Sequence, residues 1–190
     1  MGLARSWCLA MIGISVAGPL VAQGPPAPAA ADPPVITVCD ALRAGSFYDG
    51  RMVRIRGRID GTTEGTWLVG DDCPGVLVTD QHLWPSWVWL AQPGWPLVLH
   101  PIDFKFDKLS GLHFRRAYRR LAKRTPDRCI LSTVTGLFET RTDWLGQKLT
   151  YRNGASKYAG FGHLGEAPAQ LILRSEDSVE VIPGCAAREK

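Results

Sequence analysis

The densest chemistry in this sequence is cationic. Between positions 105 and 128 stand nine basic side chains: Lys105, Lys108, Arg115, Arg116, Arg119, Arg120, Lys123, Arg124 and Arg128. Only Asp107 and Asp127 oppose them. The 190-residue chain carries 22 Lys and Arg against 18 Asp and Glu, so its positive charge is gathered into one segment. On a helix, Arg115/Arg119, Arg116/Arg120, Arg119/Lys123 and Arg120/Arg124 fall at i,i+4. Each such like-charge pair costs roughly 0.2–0.5 kcal/mol in an isolated helix. Nearby anions offset that cost. They could be a nucleic acid, an acidic glycan, anionic headgroups of a membrane surface, an envelope protein, or acids of this chain such as Asp103, Glu139 or Asp143.

Two further sets could bind. Arg54, Arg56 and Arg58 alternate along one segment. On a strand they would share a face, able to follow a phosphate backbone or to pair with acids on a neighbouring strand, Glu176 or Glu180. Trp67, Trp84, Trp87, Trp89, Trp95 and Trp144 supply stacking surfaces. Stacking on a base is worth about 1–3 kcal/mol, and the same residues are equally suited to fill a small core. On a strand Trp87 and Trp89 share a face.

His163 lies between glycines in Phe161-Gly162-His163-Leu164-Gly165. It could act as a base, a ligand, or a turn residue bonded to backbone. Asp71 and Asp72, with Glu64 and Asp80, could attract a cation, but they lack the spacing of a calcium loop and sit among turn formers. The chain has no phosphate-cradling Gly-rich loop ending in Lys, no Gly-x-Ser-x-Gly elbow and no His-Glu-x-x-His pair. No Cys-x-x-Cys pair suggests zinc. The expectation is a non-enzymatic binding or interaction module with no cofactor and no metal. The alternative is an exported hydrolase, nuclease- or phosphodiesterase-like, with dispersed residues such as Arg54, Arg56, Glu64 and Asp71.

The N-terminus indicates export. Arg5 precedes an apolar run from Cys8 to Ala22. That run is short for a membrane span of about 20 residues and fits a signal-peptide core. Residues 1–22 are read as signal peptide, with cleavage fitting Ala17, Ala22 or Ala31. Residues 23–37 are Pro- and Ala-rich and read as a linker, 38–185 as one domain, and 186–190 as a tail. The protein is expected in the periplasm or outside the cell. Of five cysteines, Cys8 leaves with the signal. Cys39, Cys73, Cys129 and Cys185 then allow two disulfides in three connectivities. The pairing Cys39–Cys73 with Cys129–Cys185 is favoured because it staples the two ends of the domain separately.

The elements that would position these groups follow from periodicity. Val38 to Ala44 reads as a short helix. Val53, Ile55, Gly57 and Ile59 alternate with Arg54, Arg56, Arg58 and Asp60, which predicts a strand with one apolar face. Thr66–Val69 and Val76–Thr79 read as two strands of a hairpin. Val88–Leu90 and Leu97–His100 are short strand candidates among prolines. A helix is expected from Gly111 to Lys123, with Phe114, Ala117, Tyr118, Leu121 and Ala122 on its apolar face. Ile130–Glu139, Gln170–Leu173 and Val179–Ile182 read as strands, and 140–169 as a long Gly-rich segment.

The segment Phe47-Tyr48-Asp49-Gly50-Arg51-Met52-Val53-Arg54-Ile55-Arg56-Gly57-Arg58 resembles the first strand of the oligonucleotide/oligosaccharide-binding (OB) fold. Gly57 there suggests a bulge that curls the strand. The stretch Gly160 to Leu171 resembles the end of exported bacterial proteins of this type, a likeness that carries no activity. Together these imply a mainly β fold: an OB-like five-stranded barrel, with a helix between strands 3 and 4 and a short N-terminal helix. Fold alone implies no function.

Overall fold

A computed structural model describes residues 32–71, 73, 75–79, 82–94, 98, 101–124, 129–141, 148–150, 154, 156–162 and 164–182. The expected signal peptide, Asp72, Asp80, Trp95, Arg128, Asp143, Trp144, His163, Cys185 and the tail 186–190 lie outside the described residues.

The last three residues of the expected linker form β1 (Val35–Thr37), which runs directly into α1 (Val38–Arg43). A capping box starts the helix. Thr37 Oγ1 accepts from the Asp40 backbone N–H at 3.1 Å, and the Asp40 carboxylate accepts in return from the Thr37 N–H at 3.3 Å. Asp40 in the first turn and Arg43 in the last both suit the helix dipole. One further turn, α2 (Gly45–Tyr48), leads to Gly50, whose φ of 68° is in the left-handed region that glycine tolerates.

β2 (Arg51–Thr62) carries the alternation seen in the sequence: Val53, Ile55 and Gly57 are buried, and Arg54 and Arg56 are not. Its register against a later strand runs unshifted from Arg51 to Arg58, so Gly57 is not a bulge. It is a close approach. A Cβ there would lie 2.7 Å from Val38 Cγ2, so the glycine lets α1 press onto the strand. After β2 come β3 (Gly65–Val69), β4 (Val78–Thr79), β5 (His82–Leu83) and β6 (Trp87–Ala91). Next are α3 (Lys108–Arg124), β7 (Cys129–Thr140), β8 (Lys148–Thr150), β9 (Ser156–Tyr158) and β10 (Ala169–Ile182).

The main sheet has six strands in the order β1-β2-β3-β6-β10-β7, and β2 also pairs with β7. β1 lies parallel to β2 and β6 parallel to β10, while the other pairings are antiparallel. β4 and β5 leave the sheet and form their own ribbon, as do β8 and β9. The expected mainly β, OB-like five-stranded barrel is therefore corrected to a mixed α/β fold on a six-stranded sheet. Two physical reasons account for the difference. The linker end adds β1 as a sixth strand. β4 has only two residues and pairs with β5, so β3 takes β6 as its neighbour (Trp67 opposite Trp89) instead of closing a hairpin with 76–79. The two separate closing strands expected near the C-terminus are one continuous β10.

One core contains Val38 and Leu42 of α1, Val53 and Ile55 of β2, Leu68, Val88, Leu90, Val134, Phe138, Leu171 and Leu173. The Cys39–Cys73 disulfide ties α1 to the turn after β3. Cys129 is also disulfide-bonded, and its expected partner Cys185 lies outside the described residues. A second cluster holds Trp89, Ala91, Phe161, Ala167 and Ile172, with Trp67, Trp87 and Phe104 packed against it. Among the described residues no helix is long and apolar enough to cross a membrane.

Candidate functional site

α3 begins three residues before the sequence pattern suggests, because Asp107 caps it. Asp107 Oδ1 accepts from the backbone N–H of Leu109 at 2.9 Å and of Ser110 at 3.2 Å. The helix is fastened to β10 at the same end. The Asp107 N–H donates to the Arg174 carbonyl at 2.7 Å, and the Glu176 N–H donates to Ser110 Oγ at 3.2 Å. Of the expected apolar face only Phe114 is buried, together with Gly111; Ala117, Tyr118, Leu121 and Ala122 are half-buried. Arg115, Arg116, Arg119, Arg120, Lys123 and Arg124 are all exposed.

The Arg ladder of β2 is in a different state. Arg54 Nε donates to Asp177 at 3.2 Å, and Arg56 meets Glu180 at 2.7 Å. Arg58 grips Asp71 with two donors, at 2.9 and 3.0 Å, and reaches Asp60 at 3.2 Å. These pairs hold Arg58 above its ordinary pKa, the hydrogen bond to Asp71 being the largest cause. Among the described residues no ion pair involves Arg116, Arg119, Arg120, Lys123 or Arg124. Of the acids proposed from sequence to meet α3, Glu139 accepts from Gln170 Nε2 at 2.6 Å, Asp103 enters no ion pair among the described residues, and Asp143 lies outside them.

Beside α3 opens a cleft of about 490 Å³, within the roughly 300–1,000 Å³ of small-molecule sites. Phe114, Arg115, Tyr118 and Arg119 form one wall, the β2–β3 hairpin the other, and Leu90, Leu173 and Glu176 the floor. Glu176 owes its place to β10. The register against β7 shifts between Leu173 and Ser175 and again between Glu176 and Ser178, and such bulges re-aim side chains. Its Oε2 is buried with no hydrogen-bond partner among the described residues. A Cβ on Gly111 would come within 2.8 Å of that oxygen and 2.6 Å of Phe106 Cζ, so the glycine lets the helix lie close to both side chains. Burial holds the Glu176 carboxyl above the usual glutamate range, with Arg115 pulling the other way. Tyr118 is likewise held up by burial, then by Asp60, against Arg58.

Comparison with protein-family models, curated proteins and solved structures finds no match to this chain. Its site must be read from its own residues.

The tryptophans divide. Trp84 is fully buried and donates from Nε1 to Thr79 Oγ1 at 2.6 Å. Trp67, half-buried, packs at 5.9 Å and nearly parallel against buried Trp89, and at 5.3 Å against half-buried Trp87. With Phe161 they line a groove of about 160 Å³, below the size of the usual small-molecule site. Among the described residues no group of three or more His, Cys, Asp or Glu side chains is placed to hold a metal ion. Sequence reasoning singled out Arg115 and Arg119 but missed Tyr118, Gln92 and the role of Glu176 in the cleft. The available signal for Glu176 was an acid inside a polar break in an otherwise apolar strand.

Proposed function

We propose that this protein is an exported binding module that takes up a polyanion along α3. The observation that carries this reading is the contrast between two sets of arginines. Those of β2 are neutralised by Asp177, Glu180, Asp71 and Asp60. The basic side chains of α3 are exposed, and their charge is available to an external anion. A continuous row of such charges attracts phosphates, sulfates or carboxylates regardless of sequence and releases counterions on contact.

The test is fluorescence anisotropy of a labelled oligothymidylate titrated with the oxidised protein at low and moderate salt. Saturable binding that weakens with salt is expected. Arg116→Glu with Arg120→Glu should weaken it at least tenfold, while Arg54→Ala should leave it within about twofold. No binding at low salt would overturn the proposal.

A further inference from the structure

We infer that the cleft between α3 and the β2–β3 hairpin holds one unit of an acidic glycan, a sugar bearing a carboxylate, and so gives the basic helix its ligand class. The inference rests on the reading of α3 as an anion-binding helix.

The cleft's chemistry is mixed in a way that suits a sugar. Ile59, Leu90 and Leu173 offer apolar lining for the C–H face of a ring. Thr62, Thr66 and Gln92 lie on its lining and can exchange hydrogen bonds with hydroxyls. Arg115 and Arg119 stand one helical turn apart on the same wall, where a guanidinium fork can take a carboxylate bidentately.

Glu176 and Asp60 also line the cleft and repel phosphates and carboxylates alike, so the sugar's carboxylate has to lie at Arg115 and Arg119 with its uncharged hydroxyls toward the acids. A sugar hydroxyl can donate to a carboxyl group that lines the cleft. The cleft lacks an open platform for a base. Phe114 is buried and Tyr118 half-buried, whereas bases are held by stacking on exposed rings. The Trp67–Trp87–Trp89 groove has the rings but only about 160 Å³.

The experiment is calorimetric titration of the oxidised protein with trigalacturonate, with maltotriose as neutral control. Two variants fill the cleft without altering α3: Thr66→Trp and, should that one fail to fold, Gln92→Trp. Trigalacturonate should bind the parent protein, maltotriose at least tenfold more weakly, and either filled variant should lose at least tenfold in affinity. Oligothymidylate binding by the same variants should stay within about twofold. Equal trigalacturonate affinity in parent and filled proteins, equal affinity for the two sugars, or no trigalacturonate binding at all would overturn the inference. With oligothymidylate still bound, each of these results leaves the α3 proposal standing. Loss of oligothymidylate binding in the parent protein would overturn that proposal.

Discussion

Arg58 and Asp71 form a two-pronged ion pair, Nε to Oδ2 at 2.9 Å and Nη2 to Oδ1 at 3.0 Å, that ties the middle of β2 to the turn leading into Cys73. The Arg58 side chain is 17% exposed and that of Asp71 34%, so the pair is only partly sheltered from the screening that weakens surface ion pairs. Hydrogen bonds to charged groups contribute roughly 1.5–3 kcal/mol. Arg58→Ala should therefore lower the unfolding free energy by up to that range, read as a lower urea midpoint at unchanged slope. Arg58→Lys should recover little of it, because an ammonium cannot reproduce the fork. A loss under about 0.5 kcal/mol, the level of an ordinary surface substitution, would show the pair to be ornamental.

Gly65 and Gly162 clamp Trp89. A Cβ on Gly65 would come within 2.0 Å of the Trp89 ring, and one on Gly162, at φ 83°, within 2.6 Å. Overpacking of this kind costs typically 1–3 kcal/mol. Gly65→Ala should lower stability in that range and alter the near-ultraviolet circular dichroism of the Trp67–Trp89 pair. An unchanged aromatic spectrum would mean that the indole simply moves aside.

What the sequence made legible follows from locality. Val53, Ile55 and Gly57 alternate with arginines within one strand, and the structure buries the first set and exposes Arg56. The basic face of α3 was equally plain, being a matter of spacing along one helix. The partner of β3 was not. It is set by Trp67 meeting Trp89 and Leu68 meeting Val88, contacts that no local pattern declares, and so the fold class was misjudged. The cleft was hidden for the same reason. It needs a doubly bulged stretch of β10 to turn Glu176 toward Gly111, a residue far upstream. In the sequence those bulges register only as a polar gap between two apolar runs.

The raised pKa of Glu176 fixes a pH dependence with a definite sign. Burial is the larger cause and raises it, with Arg115 opposing. A carboxyl whose folded pKa lies above its unfolded one binds more protons when folded, so stability falls as pH rises from the ordinary glutamate value through the raised one. Glu176→Gln stays neutral throughout. It should match the parent protein well below the ordinary glutamate value and melt higher than the parent near pH 7. Thermal melts at the two pH values check this. A variant less stable than the parent near pH 7 would mean that the carboxylate is stabilised by a charge partner.

The salt dependence of polyanion binding counts the cations engaged. For single strands the slope of log affinity against log salt is about −0.7 per phosphate neutralised. Arg115 and Arg119 turn toward the cleft, leaving Arg116, Arg120, Lys123 and Arg124 exposed on the rest of the helix. Engagement of those residues gives a slope near −3. Arg116→Ala with Arg120→Ala should bring it about 1.4 closer to zero. Arg54→Ala with Arg56→Ala should leave it nearly unchanged, because Asp177 and Glu180 already occupy those guanidinium groups. If the β2 double variant flattened the slope as much as the α3 one, the anion would have to displace Asp177 and Glu180, and the binding surface would lie on the strand face instead of the helix.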